Sequence, residues 1–454
     1  MTAVTLSTYD ELLKTFYLPG IQDYLNHETI LADLIEVNEK DVSGKNATIE
    51  CHYGRSTGTG WRADAGALPT ATYQKYKTCT VPMKYGYGRI QLSGPTIAAT
   101  RDERGAYARA LDSEVRGIVD DVKKEVNRQM FGCGYGTLAR WRSGSSTSIT
   151  LQKKYTGNSA GGNHFGSTFG AKYLVDRNDA CIVVLTAGST FAVDSTNIAV
   201  SAVTKGAEYD TITASATGST EAAGCWYVRP SSLGTRAASG GHRLEMMGLA
   251  GIVANVNVDD IGCSDGTTTG ISASYEDALQ GLDCVTSYTW FQAITDYHAS
   301  GRWAAQRALD LTLIQTMFDM VEEAAGKDYG PDLMVTTRAV RREYLELVQA
   351  DRRFVNTMTL DGGWSALDYN GVPFVVDNDA IDGEIYFLTL KDLQLFRMSD
   401  YAWMEKDGAI LSRVSGYDAY EAIFYRYAEL GVLNRATQGI LGSLSYTKGT
   451  NEGY

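Results

Sequence analysis

Proline and histidine are scarce in this chain of 454 residues, at 7 and 5. The histidines (27, 52, 164, 242, 298) are scattered, and no HExxH occurs, so the common zinc-ligand patterns are excluded. Seven cysteines (51, 79, 133, 181, 225, 263, 284) form no CxxC pair. An odd, dispersed set points to reduced thiols in a cytoplasmic protein and not to a disulfide framework. No GxxxxGK[ST] is present, which removes the phosphate-cradling loop of nucleotide-hydrolysing proteins. Basic charge is also short. Lys and Arg total 41 against 54 Asp and Glu, a net charge of -13, so counter-ion release cannot give tight DNA binding. If such a chain encloses nucleic acid, it does so without gripping it. The longest apolar runs, such as "ACIVVLTA", are too short for a membrane span. The N-terminus has no basic region before an apolar stretch, so no signal peptide is expected, and the sequon Asn46-Ala47-Thr48 then means nothing. A start at Met1 leads to the expectation that no long scaffolding segment has been cleaved.

What the chain does have is 47 glycines, 28 tyrosines and 44% apolar residues, an ordinary folded composition rich in turns and β structure. Residues 8–36 read as two short helices, with a capping-box pattern at Thr8 and Glu11 and a break at Pro19-Gly20. Residues 46–92 read as a long two-stranded excursion around a Gly-rich tip, "RSTGTGWRADAGALPTA", with little in the local sequence to lie on. Residues 102–130 are the strongest helix. Tyr107, Leu111, Val115, Ile118, Val119, Val122 and Val126 keep one narrow stripe, with Asp120, Asp121, Lys123, Lys124 and Arg128 largely off it. From about 140 to 245 the composition shifts to Ser, Thr, Gly and Ala. There "SGSSTSITL" and "GNSAGGNHFGS" read as loops, and "ACIVVL" and "CWYVRP" as strands, of an inserted β-rich subdomain.

The last 200 residues alternate helix and strand. "LDLTLIQTMFDMVEEAAG" reads as a helix closed by Gly326, "PDLMVTT" as a strand, and "TRAVRREYLELVQA" as a helix capped near Thr336 or Thr337. "SALDYNGVPFVVD" reads as a hairpin whose Asn370-Gly371 suits a type I′ turn, "EIYFLTL" as a strand, and "AYEAIFYRYAELGVLN" as a long antiparallel strand or hairpin.

Candidate chemistry is thin. Asp377, Asp379, Asp382 and Glu384 cluster in "VVDNDAIDGEIYFL", but position 5 of a calcium loop counted from Asp377 would be Ile381 and position 12 Leu388. The reading preferred here is a polar turn between strands. Two GxSxG matches, at Ser56 and Ser159, lack the following helix of a nucleophile elbow. Gly58-Thr59-Gly60 with Ala63 fails as a dinucleotide fingerprint for the same reason. Arg338, Arg341 and Arg342 with Glu343 and Glu346 read as a solvated helix face or a contact to a neighbouring subunit. No cofactor, metal or catalytic residue is assigned.

An arm, an unsupported hairpin, a strut-like helix and an α+β core behave as a set only when other copies cover them. In that order, "LADLIEVNEKDVSGKNATIECHYGRSTGTGWRADAGALPTA", "KYGYGRIQLSGPTIAATRDERGAYARALDSEVRGIVDDVKKEVNRQMFGCGYGTLA", "PDLMVTTRAVRREYLELVQADRRF", "LDGGWSALDYNGVPFVVDNDAIDGEIYFLTLKDLQLF" and "DAYEAIFYRYAELGVLNR" resemble the major capsid proteins of tailed bacteriophages, the Hong-Kong-97-type fold. These stretches hold 176 of the 454 residues, about two fifths of the chain. The resemblance implies an N-arm (1–45), an E-loop (46–92), a P-domain spine helix (93–139), the inserted subdomain (140–245), a P-domain continuation (246–329), an A-domain (330–410) and closing P-domain strands (411–454). It further implies hexamers and pentamers in an icosahedral shell around double-stranded DNA, expanding on maturation, with the E-loop crossing a neighbour through Arg55, Gly58, Gly60, Trp61, Arg62 and Asp64. In the A-domain, Arg338, Arg341, Arg342, Asp377, Asp379 and Asp382 would shape or contact the neighbouring subunit. Portal, scaffold, protease and decoration proteins are the implied partners, with no membrane, and the virion the implied location. Some relatives crosslink an E-loop lysine to a neighbour's asparagine. Lys75 and Lys77 lie on the return and asparagines such as Asn356 exist, but no motif pairs them. The alternatives are an encapsulin-like compartment of the same fold and, from another class, a soluble hydrolase using Ser56 or the Asp377 region.

Overall fold

The structure is a computed structural model. It describes residues 30–95, 104–132, 134, 136–145, 148–153, 170–174, 180–186, 190–207, 209–214, 225–228, 244–255, 279–298, 306–325, 330–350, 357–359, 365–405 and 410–449. The expected helices over 8–29, the loop "GNSAGGNHFGS", Gly326 and Asn356 lie outside them.

Four β-sheets and three main helices organise the described residues. In the first sheet β2 (Val42–Ser43), β3 (Asn46–Gly54) and β4 (Lys75–Pro82) form a ribbon with Ala47 opposite Val81 and Cys51 opposite Lys77. The return was expected to run as one strand to residue 92. Instead Pro82, which cannot donate to a ladder, ends β4, and β5 (Lys84–Ser93) joins a different sheet.

That second sheet is built on β21 (Ala419–Val432). Its Ala419–Ala428 stretch pairs with β5, and its other edge takes β19 (Leu393–Trp403) and β20 (Ser412–Arg413), with β1 (Glu36–Asn38) beyond β19. Burial alternates along "AYEAIFYRYAEL", with Ala422, Phe424, Arg426 and Ala428 buried and Ile423, Tyr425 and Tyr427 half-buried, the period of two of one long antiparallel strand. The helix Arg104–Met130 crosses this sheet at Gly88, where an added Cβ would lie 3.0 Å from both Ile118 and Val122. The stripe therefore meets β5 at a position without a side chain. The side chains of Tyr107 and Leu111 lie outside the described residues, and Val115 is half-buried.

The third sheet has the order β10-β11-β7-β6-β12-β8-β9 and spans Thr137–Ser145 (β6), Ser148–Gln152 (β7), Ala180–Thr186 (β8), Thr190–Ile198 (β9), Val200–Thr204 (β10), Tyr209–Ala214 (β11) and Cys225–Val228 (β12). Its two outermost strands are consecutive in the chain, so the edges converge at Ala199 and the sheet wraps round on itself. Leu138, Ile149, Leu151, Leu174 and Ile212 fill its interior. "ACIVVL" and "CWYVRP" supply strands, as read from the sequence. "SGSSTSITL" is corrected: it holds the β6–β7 hairpin, because buried Ile149 and Leu151 alternate in it and anchor an otherwise polar stretch.

The fourth sheet has the order β13-β22-β18-β14-β17-β16-β15, made of Ile294–Asp296 (β13), Leu333–Thr336 (β14), Thr357–Thr359 (β15), Ser365–Tyr369 (β16), Val372–Val376 (β17), Ile385–Leu388 (β18) and Gly439–Leu441 (β22). Both faces are covered. Met334, Phe374, Ile385 and Phe387 pack under the helices Leu311–Ala325 and Arg338–Ala350, while Leu333, Val335, Tyr386 and Leu388 face the end of the long helix at Val126, Met130 and Phe131. Burial on two sides explains continuous runs such as "LMVT" and "IYFL". Asn370 (φ 54) and Gly371 (φ 82) take the left-handed conformations that a type I′ turn demands.

Candidate assembly surface and buried polar junction

Between β3 and β4 the chain extends as an arm with no ladder of its own. Its two limbs are laced by small polar groups: Ser56 Oγ donates to Thr72 O (2.9 Å) and meets Thr72 Oγ1 at 2.8 Å. Gly58 lets them approach, since a Cβ there would stand 3.2 Å from Thr70 O and from Thr72 N. The chain reverses where Gly66 N donates to Ala63 O (2.9 Å), beside Ala65 at φ 57. Ser56 is thus a brace within the arm. Arg55, Gly60, Arg62 and Asp64 are exposed and Gly58 is half-buried. Trp61 is 100% exposed, Leu68 87%, Tyr73 79% and Tyr76 66%, so the arm presents large apolar side chains that its own chain leaves uncovered. The foot of the arm does find a surface, far off in sequence: Tyr53 stacks on Trp290 at 5.1 Å and Lys77 Nζ lies 5.0 Å from the Tyr288 ring centre.

The acidic cluster forms the turn between β17 and β18, as read from the sequence, and its carboxylates point inward. Asp377, Asp379, Asp382 and Glu384 are 1–5% exposed and enclosed by their own chain. Asn127, near the end of the long helix, donates through Nδ2 to Asp377 Oδ1 (3.2 Å) and Asp379 Oδ2 (2.9 Å). From the third sheet's connecting turn, Lys172 Nζ donates to Asp379 Oδ1 (2.8 Å) and Asn378 O (2.5 Å), and Tyr173 donates to Asp379 Oδ1 (2.9 Å). Lys448, near the C-terminus, pairs with Asp382. Tyr386 donates to Glu384 Oε2 (2.8 Å). Buried carboxylates require such partners, because desolvating a bare charge costs several kcal/mol. The cluster is a junction that ties three segments to the fourth sheet.

Its electrostatics are divided between the two aspartates. Burial, with the neighbouring Asp379, pushes the Asp377 carboxyl up to about 7. Burial acts the same way on Asp379, but Lys172, Asn127 and Tyr173 outweigh it and hold that carboxyl below its ordinary value. Burial and then Asp379 raise the Tyr173 phenol well above its usual range.

Arg128 was expected to lie largely off the buried stripe. It is buried, with Nε donating to Glu125 Oε1 (2.8 Å) and Nη2 to Glu245 Oε2 (2.5 Å), since the last turns of the helix run into the core and leave no solvent side. On the Arg338–Ala350 helix, Arg338 is exposed and Arg341 half-buried. Arg342 donates to Thr447 O (2.6 Å) and Glu343 accepts from Thr447 N, so this face holds the chain's own C-terminal segment. Among the described residues no group of three or more His, Cys, Asp or Glu is placed to hold a metal ion, and no helix is long and apolar enough to cross a membrane.

No protein-family model matches the sequence, and no curated protein matches it by sequence. Solved structures do match in shape. The capsid of cyanophage A-1(L) superposes with a TM-score of 0.54 at 12% identity, covering 97% of this chain and 99% of its own. The chain has the fold of tailed-phage major capsid proteins. Weaker likenesses are the capsid of an empty GTA particle (TM-score 0.44, 10% identity, 98% and 100% covered) and the SrpI encapsulin of Synechococcus elongatus (0.44, 7%, 98% and 97%). In this capsid fold the residues that sequence reasoning missed are Asn127, Lys172, Tyr173 and Lys448. Their only signal was the presence of unpaired carboxylates in a run that is otherwise apolar, which implies buried donors without saying which.

Proposed function

We propose that the chain is a shell-forming major capsid protein that assembles as hexamers and pentamers around double-stranded DNA. In this reading residues 46–92 are the E-loop, the Arg104–Met130 helix is the spine, and residues 330–410 form much of the A-domain. One observation supports it most: an arm whose Trp61, Leu68 and Tyr73 are 79–100% exposed is costly on a free monomer and is what an intersubunit contact uses. The charge of -13 fits an enclosing wall that repels DNA and lets it slide. Portal and scaffold or decoration proteins are the further partners of this reading.

The test is negative-stain electron microscopy with size-exclusion chromatography of the chain expressed alone and, if monomeric, with a scaffold. Closed shells or rings of five and six subunits are expected. An interfacial Trp contributes on the order of 2 kcal/mol or more, so Trp61→Asp raises the threshold concentration for assembly by roughly 30-fold, while Ser56→Ala still assembles. A monomer that forms no particles under either condition overturns the reading.

A further inference from the structure

Cys51 and Cys79 lie on the paired strands at the foot of the arm with their Sγ atoms 3.1 Å apart. The register sets Cys51 opposite Lys77 and Ile49 opposite Cys79, so the two thiols are diagonal neighbours on one face of the ribbon. The right-handed twist of a β ribbon brings one of its two diagonals together, and the short separation places this pair on that diagonal. A disulfide holds its sulfurs about 2.05 Å apart, so closure needs about 1 Å of side-chain movement. Cys284 is engaged elsewhere, accepting from Arg435 Nη1 at 3.2 Å.

We propose that Cys51 and Cys79 are a redox pair that closes to an intrachain disulfide when the chain meets a low-molecular-weight disulfide. Cys51 is half-buried and Cys79 is fully buried, which orders the chemistry. The Cys51 thiolate attacks one sulfur of the small disulfide and expels the other as a thiolate. The Cys79 thiolate then attacks the Cys51 sulfur of the mixed disulfide and expels the second small thiol. The two cysteine protons end on the two released thiols, and the two electrons reduce the small disulfide. The hydrogen bond from Cys79 pushes the Cys51 thiol down, against its partial burial, and the same contact followed by burial pushes Cys79 up. Since the thiolate is the nucleophile, Cys51 opens the exchange and Cys79 resolves it.

The consequence is local and mechanical. Cys79 belongs to the central core and Cys51 packs against it, whereas residues 71–76 are exposed. The bond would clamp the ribbon where the arm leaves the body and close residues 52–78 into a loop. The inference stands on this chain's own geometry and does not depend on its forming a shell.

The test treats the reduced full-length chain with glutathione disulfide near neutral to mildly basic pH, blocks free thiols with N-ethylmaleimide, and digests it with trypsin without reduction. Cleavage after Lys45, Arg55, Lys77 and Lys84 predicts "NATIECHYGR" joined to "TCTVPMK", lighter by two hydrogens than the free peptides, as the main product. In Cys79→Ser, Cys51 is expected to stop at the mixed disulfide with glutathione. Recovery of both wild-type peptides as maleimide adducts, or of each carrying glutathione, overturns the proposal, as does linkage of Cys51 to any other cysteine.

Discussion

Asp377 is a buried carboxyl whose folded-state acidity is weakened to about 7 by burial and by Asp379. The folded chain therefore holds a proton there that the unfolded chain releases near its ordinary value of 3.8. By linkage, this site's contribution to stability falls as pH rises from about 4 to about 7 and is constant above. Asp379, held down, acts in the opposite sense only below its ordinary range, losing its contribution as pH falls. Asp377→Asn keeps an acceptor for Asn127 Nδ2 and Asp379 N and removes the charge. Its new amide can also meet Asn127 Oδ1, which is buried without a partner in the structure. The variant is expected to be more stable than the parent by about 1–3 kcal/mol at pH 8 and to gain little at pH 5, measured by urea unfolding of the unassembled chain. A gain equal at both pH values would mean that the carboxyl is not the proton holder. Beyond the carboxylates themselves, none of these partners was legible in sequence. Lys172 and Asp379 are 207 positions apart, and periodicity detects apolar residues, not which donor meets which carboxylate.

At the scale of elements the sequence was more informative, and for a physical reason: local chemistry decided them. Asn370-Gly371 fixed a hairpin through its two left-handed residues, and the alternation in "AYEAIFYRYAEL" fixed a strand. What was hidden was which element lies on which. Gly88 shows this: as one of many glycines it carried no signal, yet it sets how closely the long helix approaches β5 through Ile118 and Val122. A side chain there must push the helix away, so Gly88→Val is expected to destabilise the fold by about 1–3 kcal/mol, read by denaturant melts. Gly86, whose added Cβ would meet nothing nearer than Arg426 O at 3.6 Å, is the control and should accept Ala with a much smaller loss. Equal losses at the two positions would remove the close-packing explanation.

For the whole molecule, the proposed assembly would set two forces against each other. Each copy brings a net charge of -13, which opposes association, while the uncovered Trp61, Leu68 and Tyr73 of the arm favour it. Like-charge repulsion is screened by salt, with a Debye length of about 10 Å at 0.1 M falling to about 3 Å at 1 M. Apolar burial is not weakened by that screening and drives most protein association. If the arm's contact is apolar, raising sodium chloride from about 0.05 to about 0.5 M should lower the concentration needed for assembly, followed by light scattering and confirmed by microscopy. The opposite outcome, particles that dissolve as salt rises, would mean that Arg55 and Arg62 hold the arm to a neighbour through ion pairs and that Trp61 is incidental. Trp61→Asp separates the two: under the apolar reading it raises the threshold concentration at low and high salt alike, whereas under the ionic reading Arg62→Ala is the change that prevents assembly at low salt.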